Sequence, residues 1–131
     1  MSADADCPFC KRIRGRRFLL ATRRTAVALP DAFPVNPGHS LVLPKRHVAD
    51  FFELTVDEQS DISELVWELR ELLEAEHHTT SFNVGINVGA AAGQTIDHAH
   101  VHLIPRYEGD VPDPRAGVRC VIPQRARYWD D

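Results

Sequence analysis

The sequence predicts an α+β domain: an antiparallel β-sheet with one long helix packed on it. Three observations predict this class. A single stretch near the middle carries strong helical periodicity. Short apolar runs rich in Val, Ile and Leu flank it on both sides. Glycine- and proline-bearing turns separate those runs, and the last two lie close enough in sequence to pair antiparallel.

Taken in order, a Cys7-Pro8-Phe9-Cys10 knuckle opens the chain. Strands are predicted at 17–21 and 25–29 across a short basic turn. Residues 30–38 hold three prolines and a glycine, which exclude a regular element, and 39–44 returns to strand. Thr55 and Glu58 form a capping box, each side chain meeting the other's unpaired backbone donor. Ile62, Leu65, Val66, Leu69, Leu72 and Leu73 then recur at helical spacing as one apolar stripe. His77 and His78 suit the negative end of that helix's dipole. Residues 81–88 read as a strand with Phe82, Val84, Ile86 and Val88 on one face and Asn83, Gly85 and Asn87 on the other. Residues 89–93 form a flexible turn, and a histidine-bearing strand follows. From Tyr107 the tail, 107–131, is expected to be extended and pinned by its aromatics, or to reach a partner subunit.

A chain of 131 residues, 44% apolar and 26% charged, is one domain (1–131) with enough material for a core. No apolar run is long enough to cross a bilayer and no charged-then-apolar leader is present, so the expected location is cytoplasmic and no membrane is an expected partner. The net charge of -4 argues against general affinity for polymeric nucleic acid. The charge is uneven, however: Lys11, Arg12, Arg14, Arg16, Arg17, Arg23 and Arg24 include no acidic residue among them. They read either as a phosphate or RNA-backbone site or, as favoured here for want of aromatics beyond Phe18, as a solvated edge strand and turn. Three cysteines make no disulfide framework. Cys7 and Cys10 have metal or redox spacing, and Cys120 is expected to be packed.

His98, His100 and His102 alternate with Ala99, Val101 and Leu103, so on a strand the three imidazoles share one face. A core strand has no structural need of three imidazoles, each asking for partners. One reading is nucleophilic catalysis, since neutral imidazole attacks phosphorus well and leaves readily. Asn87, Gly93, Gln94 and Thr95 just upstream offer donors for an anion. A second reading is metal binding: Cys7, Cys10, His47 and one strand histidine complete a closed Cys2His2 set of structural type. The third is a polar sheet face that binds nothing.

These residues resemble the histidine triad (HIT) superfamily of nucleotide hydrolases and transferases. Residues 98–104 fit the family's His-φ-His-φ-His-φ-φ pattern, where φ is apolar. Residues 87–95 resemble its phosphate-binding turn and 37–47 its central strand, so the likeness covers most of 7–106. The resemblance implies His100 as the nucleophile that becomes a covalent nucleotidyl-histidine, and His102 as the group that positions the phosphate. It implies Asp31 as the ribose-binding carboxylate, with His39, Asn87, Gly93, Gln94 and Thr95 around the phosphates and leaving group. Cys7, Cys10, His47 and His98 match the structural zinc set of bacterial-type members, making 1–15 a zinc-knuckle segment. The uridylyltransferase branch has glutamine at the third position. His102 stands there in this chain and points to a hydrolase that releases nucleoside monophosphate, acting on a dinucleoside polyphosphate or a nucleoside phosphoramidate. A homodimer is implied as well. The alternatives from other classes are a nucleotide-binding scaffold with little turnover and a purely metal-binding protein.

Overall fold

Strands β1 (Ala21–Thr22), β2 (Ala26–Pro30), β3 (Ser40–Pro44), β4 (Ser81–Ile86) and β5 (Val101–Arg106) form one sheet in the order β1-β2-β3-β5-β4. Every neighbouring pair is antiparallel. The computed structural model describes residues 3–130; Met1, Ser2 and Asp131, the outer ends of the predicted knuckle segment and tail, lie outside the described residues. The predicted α+β class with one long helix on the sheet is the observed one.

That helix, α3 (Val56–His77), starts where its capping box predicts: Glu58 N–H donates to Thr55 Oγ1 at 3.1 Å and Thr55 N–H to Glu58 Oε1 at 2.8 Å. It ends at His78, whose left-handed φ of 56° closes the last turn through a hydrogen bond to the Glu74 carbonyl. Ile62, Leu65, Leu69 and Leu73 bury against Ala26, Ala28, Val42, Val101 and Leu103. Each such side chain contributes on the order of 2 kcal/mol of apolar burial. Leu72 drops out of the predicted stripe and is exposed.

On the other face Val27, Leu29, Leu41 and Leu43 meet Cys7, Phe9 and Cys10. Strands β2 and β3 are therefore buried on both sides, which explains why they read as continuous apolar runs. The cover comes from α2 (Pro8–Gly15), which follows a single turn, α1 (Ala3–Asp6). The knuckle segment is thus helical, with Cys7 as N-cap and Pro8 in the first turn.

Several expectations need correction. The strand at 17–21 is absent: Arg16 and Phe18 have positive φ, and pairing is confined to Ala21–Thr22. The basic segment is not simply a solvated edge, since Arg23 bonds Glu64 and Glu68, and Arg24 bonds Asp57, tying the β1–β2 turn to α3. The turn expected at 89–93 is part of a longer connection, because Ile86 pairs with Val101. Strand β4 ends at Ile86, short of Val88. Its Phe82, Val84 and Ile86 do take the helix side, as the register with Pro105, Leu103 and Val101 requires. Yet Val84 is 48% and Ile86 37% exposed, since β4 is an edge strand with no strand beyond it. The tail is not extended. It folds into two 3-10 turns (Gly117–Val121 and Pro123–Arg125), and Arg115 and Arg119 stack on Trp129 and Tyr128. Cys120, expected to be packed, is exposed.

Candidate active site and metal centre

The histidine row only partly belongs to a strand. Regular pairing starts at Val101, because the Ala99 amide bonds the Val48 carbonyl instead of a neighbouring strand. The alternation survives nonetheless, with Ala99, Val101 and Leu103 in the core and the three imidazoles on the opposite side. That side is not open to solvent: His98 is 0% and His100 8% exposed. The three rings go to different places.

His98 joins Cys7, Cys10 and His47. The Cys7 Sγ–His98 Nδ1 and Cys10 Sγ–His47 Nδ1 distances are both 3.4 Å, and Cys10 Sγ–His98 Nδ1 is 3.5 Å. The four donor atoms all lie within 4.8 Å of one another. Helical spacing puts both sulfurs on one side of the first turn of α2. His47 arrives from the loop after β3, and His98 from the segment before β5. A tetrahedral zinc with ordinary bond lengths has S···N edges of about 3.6 Å, so these separations fit that ion closely. The ring chemistry fits too. His98 Nε2–H donates to the Pro44 carbonyl at 2.8 Å, which leaves the Nδ1 lone pair directed at the sulfurs. These four residues could hold a metal ion in a closed, four-ligand arrangement, and their donor set suits zinc.

His100 and His102 line a cavity of about 370 Å³ together with Asp31, His39, Asn87, Gly93, Gln94 and Thr95. All eight substrate-site and catalytic residues expected from the sequence are thus brought together. Their hydrogen bonds fix which ring nitrogen carries a proton. His100 Nδ1–H donates to the His98 carbonyl at 2.8 Å, so Nε2 keeps its lone pair on the cavity side. The Val35 amide donates to His39 Nδ1 at 3.1 Å, which makes His39 Nε2 the protonated atom. That N–H reaches His102 Nδ1 at 2.9 Å, with Asp31 Oδ2 at 3.3 Å. His102 is thereby protonated at Nε2. Two adjacent imidazoles, 4.9 Å apart between ring centres, therefore offer opposite faces: a lone pair on His100 and a donor on His102.

Burial pushes the His102 pKa down to about 4, and the neighbouring His100 and His39 rings add to this while Asp31 opposes it. His39 is lowered by burial as well, again against Asp31. Both rings are neutral at physiological pH. Asp31 Oδ1 accepts the Phe33 amide at 2.8 Å in a local turn, and the carboxylate retains further lone pairs. Gln94 lines the cavity, but its amide serves the turn itself: Oε1 accepts from Gly89 N–H, and Nε2 donates to the Ala49 and Ile96 carbonyls. The expected flexible turn is thus a braced one, closed at Gly93 with φ 94°, a conformation that favours glycine.

Sequence reasoning missed the rest of the lining, notably Phe9, Arg12, Phe33 and Leu41. Phe9 packs edge-on against His100 with ring centres 5.0 Å apart. Its place between two metal-type cysteines was a usable signal, as was that of Phe33, two residues after Asp31.

An antiparallel sheet with one long helix and alternating histidines beside a cavity defines the histidine triad class of fold. The chain belongs to that family: the HIT domain model matches residues 16–109. A bis(5′-nucleosyl)-tetraphosphatase (asymmetrical) of Schizosaccharomyces pombe is 36% identical over 78% of this chain and 56% of its own. An adenosine 5′-monophosphoramidase of Candida albicans is 35% identical over 82% of this chain and 75% of its own. Among solved structures, a HIT family protein from Bacillus anthracis superposes with TM-score 0.75 at 38% identity, covering 80% of this chain and 76% of that one. A Zn-bound histidine triad family protein from Mycobacterium smegmatis superposes with TM-score 0.74 at 26% identity, covering 90% and 91%. No helix among the described residues is long and apolar enough to cross a membrane.

The depressed His102 pKa makes stability depend on pH. In the unfolded chain the ring takes up its proton near 6.5, in the folded protein only near 4. Its contribution is therefore complete above about 6.5 and lost as pH falls toward about 4. Urea unfolding from pH 7 to 4.5 is expected to show a steeper acid loss in the wild type than in His102→Gln; equal slopes would contradict this assignment.

Proposed function

We propose that this protein is a nucleotide hydrolase that cleaves a nucleoside 5′-phosphoryl bond through a covalent nucleotidyl-histidine on His100. The observation that carries the reading is the opposed protonation of His100 and His102 on one cavity wall. Nε2 of His100 attacks phosphorus, forming an N–P bond as the bond to the leaving group breaks. His102 Nε2–H donates a hydrogen bond that stabilises the departing oxygen or nitrogen, which takes its proton from solvent. Water then attacks phosphorus, the N–P bond breaks, and the water's proton passes to solvent. Nucleoside monophosphate leaves, and His100 is neutral again. Asp31 accepts the ribose hydroxyls, and Asn87, Gly93 and Thr95 face the phosphate. Gln94 acts mainly by holding the turn in shape. The named activities of the S. pombe and C. albicans relatives support both leaving-group classes, a nucleoside polyphosphate and an amine. The location proposed for this chemistry is the cytoplasm, and its ligand is a small molecule rather than a nucleic-acid polymer.

Zinc is the proposed occupant of the Cys7, Cys10, His47 and His98 site, a reading supported by the donor spacing and by the Zn-bound relative. With four protein ligands it keeps no open position, so its role is to pin α2 to the sheet. A homodimer is proposed through β4. This edge strand presents Val84 and Ile86 beside Trp67, itself 67% exposed, and a second copy pairing antiparallel would cover all three.

Three outcomes test these readings. His100→Ala is expected to lower release of AMP from diadenosine polyphosphate or an adenosine phosphoramidate by about three orders of magnitude or more, with circular dichroism and metal content unchanged; undiminished turnover would refute the nucleophile. Metal analysis is expected to find one zinc per chain, lost in Cys7→Ala with a fall in melting temperature on the order of 10 °C; an unaltered melt would refute the structural zinc. In sedimentation, Val84→Asp is expected to convert a dimer to monomer, and a monomeric wild type would refute the interface.

A further inference from the structure

Of the seven basic residues between Lys11 and Arg24, one lines the cavity among the described residues: Arg12. It lies three residues after Phe9 on α2 and so shares that helix's cavity-facing side. Arg12 Nη1 donates to the Pro30 carbonyl at 2.9 Å, which fixes the guanidinium at the end of β2. Nothing in the proposed chemistry uses it. The turn at 87–95 leaves from β4, whereas Pro30 ends β2, and β3 and β5 lie between those strands. Three strand spacings amount to about 14 Å. The cavity thus runs from the turn, past His100 and the Phe9 ring packed on it, to a stretch near the end of β2 lined by Pro8, Ala32, Phe33 and Arg12.

We propose that Arg12 is a specificity-determining residue that reads the nucleobase and favours guanine over adenine. The proposal rests on the nucleotide reading above. Apolar and aromatic walls suit a flat ring, and the guanidinium supplies only donors, in a planar fork. The edge of guanine bearing O6 and N7 offers two adjacent acceptors to such a fork. Adenine presents N7 beside the N6 amino group, so one of its two positions sets donor against donor. A bidentate pair of this kind discriminates by about 1–3 kcal/mol, or roughly five- to 150-fold in affinity.

The test is calorimetric binding of GMP, AMP and IMP to the full chain as wild type, Arg12→Met and Arg12→Lys. The wild type is expected to bind GMP about ten-fold tighter than AMP. IMP, which keeps O6 and N7 but lacks the 2-amino group, is expected to follow GMP. In Arg12→Met the GMP-to-AMP ratio is expected to fall to about one, and in Arg12→Lys to an intermediate value, because an ammonium makes a single-point contact. Ratios within one variant cancel any general loosening of α2. Equal GMP and AMP affinities in the wild type, an unchanged ratio in Arg12→Met, or IMP behaving as AMP would each overturn the proposal. Selective binding without turnover would defeat the hydrolase reading alone. Failure to bind any nucleotide would defeat both.

Discussion

The hydrogen bond from His100 Nδ1 to the carbonyl of His98 is the constraint on which the rest of the site turns. It leaves a lone pair on Nε2 on the cavity side, and it makes the His100 ring depend on the position of residue 98. His98 is itself held twice, by its Nε2–H to Pro44 and by its Nδ1 among the sulfurs of Cys7 and Cys10. A two-residue step along the chain thus links the Cys7, Cys10, His47 and His98 cluster to Nε2 of His100, the proposed nucleophile. Two strand-borne rings could each adopt either tautomer in isolation, and it is their backbone partners that make them complementary.

The sheet makes this arrangement stable by being buried on both faces at β2 and β3. One face rests on α3, the other on α2 together with Leu19 and Ile96. The alternation of β5 divides its residues between these layers, so Val101 and Leu103 anchor the segment while His102 faces the cavity. Apolar burial on one side of the strand fixes the register, and the register fixes the chemistry on the other.

Features set by local chemistry were legible in the sequence. The capping box of Thr55 and Glu58, the stripe from Ile62 to Leu73 apart from Leu72, and the alternation around the histidines all act over a few residues, and these are present. Features set by distant partners were not. His98 and His100 lie outside the regular strand because the Ala99 amide answers to Val48, 51 positions away in number but adjacent in space. Helix α2 was hidden by brevity, with a proline and two cysteines in its first turn. The face chosen by Val84 and Ile86 followed from periodicity, but their exposure follows from the position of β4 at the sheet edge, which depends on strand order. The residues of the candidate site were readable as a motif. The use of Gln94 as a brace and the His39–His102 contact required the fold.

The carboxylate of Glu58 does more than begin a helix. Beyond the Thr55 amide it accepts two hydrogen bonds from Arg46, at 2.9 and 3.0 Å, and Arg46 immediately precedes His47. Arg46 holds the Glu58 carboxyl below its ordinary pKa, so the link stays charged at neutral pH. The first turn of α3 and the ligand loop are thereby fastened to one rivet. The start of the helix and the Cys7, Cys10, His47 and His98 cluster are thus tied together through one ion pair, although they lie on opposite faces of the sheet.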